Sequence, residues 1–226
     1  MIKVGTITIL PETTKDPISL IGRRAGICWG ADITNEEKNY KRGLDCIESL
    51  HGRTLEFPDV HLLIDGYSAR VIREYYTHIG CLPTRLQEST RYVDYENFKY
   101  VIPHTILSNS EALEVYQETM QVISNNCKKL EKLGIPREDS AMQLPIGMAT
   151  KIVDKRNLRN LIDMSRNRMC SRAYWEFREL FNDILTALKK YSSEWEYLVN
   201  TQMNPKCEIL GYCPEKHGCG RKDKKK

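Results

Sequence analysis

Apolar and polar residues alternate in several parts of the chain, which is the pattern of half-buried β-strands. Alternation over residues 1–10 predicts an N-terminal strand that ends at a turn over residues 11–14. Short apolar runs at residues 60–64 and 151–153 predict two more strands. The alternating stretch 91–101 predicts a fourth.

Apolar residues at helical spacing predict longer helices between these strands. One begins at Asn35 and ends near Leu50. The Ser-Asn-Ser-Glu stretch at 108–111 is a capping box that opens a helix reaching about residue 133. The remaining predicted helices cover residues 68–78, 157–190 and 192–200. This order of elements indicates an α+β fold in which long helices flank a mixed sheet.

The net charge of the chain is a property of its C-terminal end. The 226 residues carry a formal charge of +4, and residues 206–226 alone hold seven basic and three acidic residues. Residues 1–205 are therefore neutral overall, which argues against a basic face for nucleic acid, so no specific nucleic-acid partner is expected. No apolar run approaches the ~20 residues of a membrane helix, and the N-terminus lacks a signal-peptide layout. We expect a cytoplasmic protein with one main domain (1–205) and a basic tail (206–226).

The eight cysteines fall into two groups. Five are scattered through the body and are expected to be reduced thiols, mostly in the core: Cys28, Cys46, Cys81, Cys127 and Cys170. Three follow one another at intervals of six residues in the tail, with a histidine before the last: Cys207, Cys213, His217 and Cys219. Three thiolates and an imidazole can complete a tetrahedral zinc site. The alternative is a mobile tail with free thiols.

Two stretches carry the candidate chemistry. The first is Glu-Ser-Thr-Arg-Tyr-Val-Asp-Tyr at 88–95, just after Arg85. Arginine binds phosphate through a fork of fixed donors, and a neighbouring serine can hold the same oxygens. A surface strand with Arg91 as a solvated charge is the alternative. The second stretch contains Leu-Pro at 144–145 and then four further features: Thr150, Asn157-Leu158-Arg159, Arg168 and Arg-Ala-Tyr-Trp-Glu-Phe-Arg at 172–178.

Together these motifs resemble those of the flavin-dependent thymidylate synthases, the thymidylate synthase complementing protein family. The similarity spans roughly residues 50–180, with the motifs in the same order and at nearly matching spacing. It implies reductive methylation of dUMP to dTMP, with FAD as cofactor and methylenetetrahydrofolate and NADPH as co-substrates. It also implies a homotetramer whose active sites gather residues from several subunits.

The resemblance assigns roles to individual residues. Arg168 corresponds to the arginine that polarises the uracil ring, so that the ring is activated without an enzyme thiol. The dUMP-binding residues are expected to be Arg85, Gln87, Glu88, Ser89, Thr90 and Arg91. The flavin-binding residues are expected to be Arg53, His78, Leu82, Asn157, Arg159 and Asp163.

The chain also departs from the family pattern. Where the family has Arg-His-Arg, this chain has Ile79-Gly80-Cys81, and Gln87 stands in place of a glutamate. His78 is then more often a capping or packing residue than a catalyst. For Cys81 the alternatives are a reactive thiol, whose pKa a nearby arginine lowers, and an unreactive loop thiol. These departures leave two alternatives open: a paralogue that methylates uridylate or hydroxymethylates the ring, and a nucleotide-binding protein that has lost catalysis.

Overall fold

The computed structural model describes residues 5–225, and its strands form one sheet. The strands are β1 (Thr6–Ile9), β2 (Asp59–Ser68), β3 (Thr84–Gln87) and β4 (Ala149–Asn157), in the order β1-β2-β4-β3. Strands β2 and β4 pair along almost their whole lengths, and β1 and β3 pair with them at the two edges. All three pairings are antiparallel, so the prediction of a mixed sheet is wrong. The predicted α+β class is confirmed. Residues 1–4 of the predicted first strand lie outside the described residues.

Ten helices surround this sheet in the described part of the chain. They are α1 (Pro17–Cys28), α2 (Glu36–Glu48), α3 (Ala69–Tyr75), α4 (His104–Leu107), α5 (Ser110–Lys132), α6 (Arg137–Ser140), α7 (Leu158–Arg168), α8 (Trp175–Tyr191), α9 (Ser193–Gln202) and α10 (Lys206–Leu210). No helix among residues 5–225 is long and apolar enough to cross a membrane. The cytoplasmic location and the boundary between domain and tail stay predictions.

The predicted strand at 91–101 is wrong, and the true strand β3 lies just before it. Polar side chains turn the chain back on itself here: Ser89 Oγ accepts from the Arg91 amide at 3.2 Å, and Asp94 Oδ1 accepts from the Glu96 amide at 2.8 Å. Such local bonds compete with strand pairing. The apolar residues Tyr95 and Phe98 of this stretch do not lie in a strand of the sheet. They are buried in a small second core.

The predicted helix at 157–190 is two helices, α7 and α8, separated by residues 169–174. A turn in which the Ala173 amide donates to the Cys170 carbonyl changes the chain direction between them.

Helix α1 was not predicted because two of its positions are glycines. Gly22 and Gly43 let α1 and α2 approach so closely that a Cβ at either position would overlap the facing backbone.

The main core lies between the sheet and α8. A stripe of fully buried residues along α8, Phe177, Phe181, Ile184 and Leu188, packs in the same cluster as the buried face of β2. Helices α7 and α9 contribute further buried apolar residues to the same cluster. The core therefore fixes the starts of α7 and α8 relative to the sheet.

A buried ion pair lies beside this core. Asp154 and Arg156 of β4 are both fully buried and form a two-pronged contact, with Nε–Oδ2 at 2.5 Å and Nη2–Oδ1 at 2.8 Å. Tyr75 Oη of α3 donates to Asp154 at 2.8 Å, and Arg156 Nη1 donates to Asn160 Oδ1 of α7 at 2.6 Å. Burial raises the pKa of Tyr75 well above its ordinary value, so its hydroxyl stays protonated and donates. One network thus joins β4, α3 and α7.

We predict that Asp154→Asn lowers the free energy of unfolding by about 3–5 kcal/mol, because it leaves a buried guanidinium without its counter-charge. Asp59→Asn is the matched control. Asp59 pairs with Lys155 across the same sheet at 2.9 Å, but both side chains are partly exposed, so its loss should cost about 0–1 kcal/mol. Urea unfolding of both variants measures the difference, and equal costs would contradict the role assigned to the buried pair.

Candidate functional site

Arg168 lies at the end of α7 and is held from three sides. Its Nε donates to His78 Nε2 at 2.8 Å, and its Nη1 lies 3.3 Å from Glu74 Oε2. Its guanidinium carbon stacks 4.2 Å from the ring centre of Phe177. The side chain is 20% exposed, and its Nη2 has no hydrogen-bond partner within residues 5–225. The four residues Glu74, His78, Arg168 and Phe177 are called the Arg168 cluster below.

His78 acts in this cluster as a neutral acceptor. Burial, together with the nearby charges of Arg168 and Arg156, lowers its pKa to about 4. An arginine can only donate, so His78 Nε2 carries the lone pair and Nδ1 the proton. The structure therefore assigns His78 to orienting Arg168, while its expected flavin contact stays a prediction.

Three of the expected flavin residues lie on the first turns of α7. Asn157 caps the helix, accepting from the Asn160 amide at 3.0 Å, which agrees with the helix-start position expected for it. Arg159 pairs with Glu56 at 2.6 Å, and Asp163 pairs with Arg166 at 3.1 Å. Arg159 is partly exposed, so its charge faces solvent beside the short helical turn that Arg53 precedes.

The loop after His78 packs over this end of α7. Asn160 Nδ2 donates to the Gly80 carbonyl at 2.6 Å. Cys81 and Leu82 both have positive φ, 58° and 51°, a conformation that costs energy for residues with a Cβ and that persists where surrounding contacts impose it. Burial raises the pKa of the Cys81 thiol, and Glu56 raises it further, which agrees with an unreactive loop thiol. Leu82 is 89% exposed.

The expected phosphate-binding residues form a turn after β3, called the signature turn (residues 88–92). Arg91 pairs with Glu138 at 2.8 Å, and both side chains are more than half exposed. Ser89 and Thr90 are partly exposed, and the Glu88 amide donates to the Lys151 carbonyl. The alternative of a surface strand at Arg91 is wrong, because the segment is a turn.

Arg85 and Gln87 of β3 are already engaged by the protein. Arg85 Nη1 donates to the Tyr76 carbonyl at 3.0 Å, and its guanidinium lies over the Tyr76 ring at 4.4 Å. Gln87 Nε2 donates to Thr150 Oγ1 at 3.2 Å. In the part of the chain that the structure describes, no hydrogen bond or ion pair links the signature turn to the Arg168 cluster.

The four expected zinc ligands, Cys207, Cys213, His217 and Cys219, line one cavity of about 250 Å³. The cavity lies between residues 205–222 and the segment 166–173, which carries Arg168 at its edge. Among residues 5–225 no three His, Cys, Asp or Glu side chains are close enough together to hold a metal ion as they stand. The predicted Cys₃His arrangement is therefore not assembled.

Sequence reasoning missed Glu74, Glu56 and Phe177. Glu74 precedes His78 by four residues inside the helix predicted at 68–78, where the two side chains would share a face. In the structure α3 ends at Tyr75, and both side chains contact Arg168 from this end of the helix. Glu56 reaches Arg159 across 103 residues of chain, and no local pattern indicates such a contact. Phe177 follows Arg168 closely in the chain, but it stacks on the guanidinium only because the turn between α7 and α8 brings it there.

We predict that His78→Gln weakens the loss of stability on acidification. The folded-state pKa of about 4 lies below the ordinary value of 6.5. The stability that the neutral ring contributes is therefore complete above about pH 6.5 and is lost as pH falls from 6.5 towards 4. Melting temperatures measured across this window should fall less steeply in the variant, whereas His51→Gln, at an exposed histidine, should follow the parent chain. Identical curves for all three proteins would refute the buried neutral state.

Comparison with known proteins extends these observations to most of the chain. The family model described as "Thymidylate synthase complementing protein" matches residues 9–192. A flavin-dependent thymidylate synthase of Nitratidesulfovibrio vulgaris is 28% identical over 230 residues, covering 92% of this chain and 91% of the relative. One of Pyrococcus furiosus is 30% identical over 232 residues, covering 96% of this chain and 94% of the relative.

The fold has a counterpart among solved structures. The UMP/dUMP methylase PolB from Streptomyces cacaoi, in a crystal structure bound with 5-Br dUMP, superposes with a TM-score of 0.69. The superposition covers 88% of this chain and 96% of the PolB chain, with 17% sequence identity, and it shows that the two proteins share a fold. The family model and the relatives confirm the resemblance carried by the sequence motifs, and the chain belongs to the thymidylate synthase complementing protein family.

Proposed function

We propose that this enzyme converts dUMP to dTMP by transferring a one-carbon group from methylenetetrahydrofolate and reducing it with reduced FAD, which NADPH regenerates. Family membership supports the reaction class, since the relatives are named flavin-dependent thymidylate synthases. The observation that carries the proposal for this particular chain is the Arg168 cluster. It holds a half-buried guanidinium with one nitrogen left over for a ligand.

Arg168 is suited to polarise a pyrimidine carbonyl. Methylation at the fifth ring carbon requires negative charge to build up on the ring, and a fixed cation beside the carbonyl stabilises that charge. His78, Glu74 and Phe177 fix the guanidinium before a substrate arrives, so little reorganisation is needed during the reaction. Activation of this kind needs no enzyme thiol, which agrees with the raised pKa of Cys81.

The signature turn is suited to hold the nucleotide phosphate. Its Arg91–Glu138 pair is exposed, and such pairs contribute about 0–1 kcal/mol, so a phosphate dianion can replace the glutamate. Ser89 and Thr90 offer hydroxyls next to it. Arg85 and Gln87 are committed to Tyr76 and Thr150 and are better suited to support the strand than to contact the substrate directly.

The first turns of α7 are suited to an anionic, flat cofactor such as FAD. Arg159 and Arg53 supply cations at the surface, and Asn157 and Asp163 supply polar groups on the same helix end. Exposed Leu82 supplies an apolar surface beside them. When bound there, the reduced flavin would supply the hydride for the one-carbon group.

A homotetramer fits the absence, within residues 5–225, of any hydrogen bond or ion pair between the two substrate-binding regions. Residues 79–92, which connect the Arg168 cluster to the signature turn, expose four large apolar side chains between 66% and 89%: Ile79, Leu82, Leu86 and Tyr92. Several exposed apolar side chains within one short stretch suit an association surface. A neighbouring subunit seated there would bring its own signature turn or α7 to complete the site.

We predict that the purified protein is yellow, with the ~450 nm absorbance of bound oxidised flavin, because the reduction step depends on that cofactor. Arg159→Ala should lose most of the colour, whereas Arg73→Ala, at an exposed arginine of α3, should keep it. A colourless protein that binds dUMP and does not take up added FAD would favour the non-catalytic nucleotide-binding alternative.

We predict that Arg168→Ala lowers kcat, and that Arg91→Ala mainly raises KM for dUMP. Each loses a charge-assisted contact worth about 1.5–3 kcal/mol, which corresponds to roughly 10- to 150-fold in kcat/KM. Arg73→Ala is the matched control and should stay within about twofold of the parent. Near-parental kinetics in both variants would refute the site assignment.

The mass of the product formed from dUMP, and separately from UMP, distinguishes thymidylate formation from uridylate methylation or hydroxymethylation.

A further inference from the structure

The C-terminal segment (residues 206–225) holds a defined conformation without a core of its own. None of its side chains is buried, and its aliphatic residues Ile209 and Leu210 are 56% and 40% exposed. It nevertheless contains α10 and a bridge in which the Cys213 amide donates to the Asp223 carbonyl at 2.7 Å. Segments too short to bury a core are usually held by disulfides or a metal.

The visible contacts of the segment are too weak to replace such a cross-link. Arg172 lies 3.4 Å from Glu215, and Lys222 lies 2.9 Å from Glu208, and all four side chains are at least one-third exposed. Exposed ion pairs contribute little to stability. Arg221 also donates to the Met169 carbonyl at 3.2 Å, so the segment docks on residues 169–172, between α7 and α8.

Four cysteines line the cavity at this docking surface: Cys170 from the body, and Cys207, Cys213 and Cys219 from the segment. All are free thiols. The loop folds tightly over one of them, since a Cβ on Gly218 would lie 3.3 Å from Cys213 Sγ. The body residue Cys170 was not among the ligands expected from the spacing of the tail.

The charges around the cavity suit a cluster of thiolates. Six cationic side chains line it against one carboxylate, that of Glu215: Arg166, Arg168, Arg172, Lys206, Arg221 and Lys222. Cations favour the thiolate over the thiol. A divalent metal with four thiolates carries two net negative charges, which these cations offset.

We propose that Cys170, Cys207, Cys213 and Cys219 bind one structural zinc ion as a tetrathiolate site. Zinc prefers four thiolates in tetrahedral geometry with Zn–S bonds of about 2.3 Å, and each thiol releases its proton on binding. Because the thiols do not yet converge, binding draws the segment towards Cys170. A site that includes Cys170 ties the segment to the body, whereas one completed by exposed His217 cross-links the segment only to itself.

Metal analysis of the full-length protein, purified under reducing conditions and reconstituted with zinc, tests this site. We expect about one zinc per chain in the parent and in the His217→Ala and Cys28→Ser controls, and less than roughly one-fifth of that in Cys170→Ser. Cys219→Ser alters an exposed position that cannot disturb the core, so it should also lose the metal while circular dichroism stays unchanged.

Cobalt reconstitution adds a spectroscopic measure, since sulfur-to-metal absorbance rises with the number of thiolate ligands. The site assignment is overturned by a parent protein without zinc, by a disulfide among the four cysteines, or by zinc that survives Cys170→Ser and is lost in His217→Ala. None of these readouts depends on nucleotide turnover, so they are independent of the proposed reaction.

Discussion

The buried Asp154–Arg156 pair is the interaction on which the geometry of the site depends. Taking both charges out of water costs several kcal/mol per ion, and only close geometry with further hydrogen bonds offsets that cost. Here Tyr75 and Asn160 supply those bonds from α3 and α7. Asn160 then holds the Gly80 carbonyl, so the buried pair also fixes the loop that follows His78. The buried network therefore fixes the positions of β4, α3 and α7 relative to one another.

This coupling explains how the chain tolerates the replacement of Arg-His-Arg by Ile79-Gly80-Cys81. Two left-handed residues, Cys81 and Leu82, follow at once and cost energy that the fold must supply elsewhere. The contact between Asn160 and Gly80 is one source of that energy. The loop therefore keeps a defined shape although its side chains differ from the family pattern, and the apolar residues it exposes face away from the core.

The sequence was sufficient for features that depend on local pattern and insufficient for those that depend on distant contacts. The helix start at Asn35 was predictable, because its side chain accepts from a backbone amide three residues later. The start of α5 was predicted at nearly the right place, but Asn109 caps it in place of Ser108 of the predicted capping box. Arg168 was found through motif order. Its partners were not, because the contacts to Glu74 and Phe177 arise only when α3, α7 and α8 meet. Likewise the alternation at 91–101 was misleading, because it reflects burial of Tyr95 and Phe98 in a loop.

The Arg168 cluster and the cysteine-lined cavity are physically adjacent, which connects the two ends of the chain. Arg168 belongs to the cavity lining on one side and contacts His78 on the other. Residues 169–172 therefore form a short link between the guanidinium and the surface on which the C-terminal segment docks. Cross-linking that segment to Cys170 would restrict the end of α7, and with it the position of the Arg168 side chain. A segment without a core of its own can in this way contribute rigidity where a charged group must be held in place before its ligand arrives.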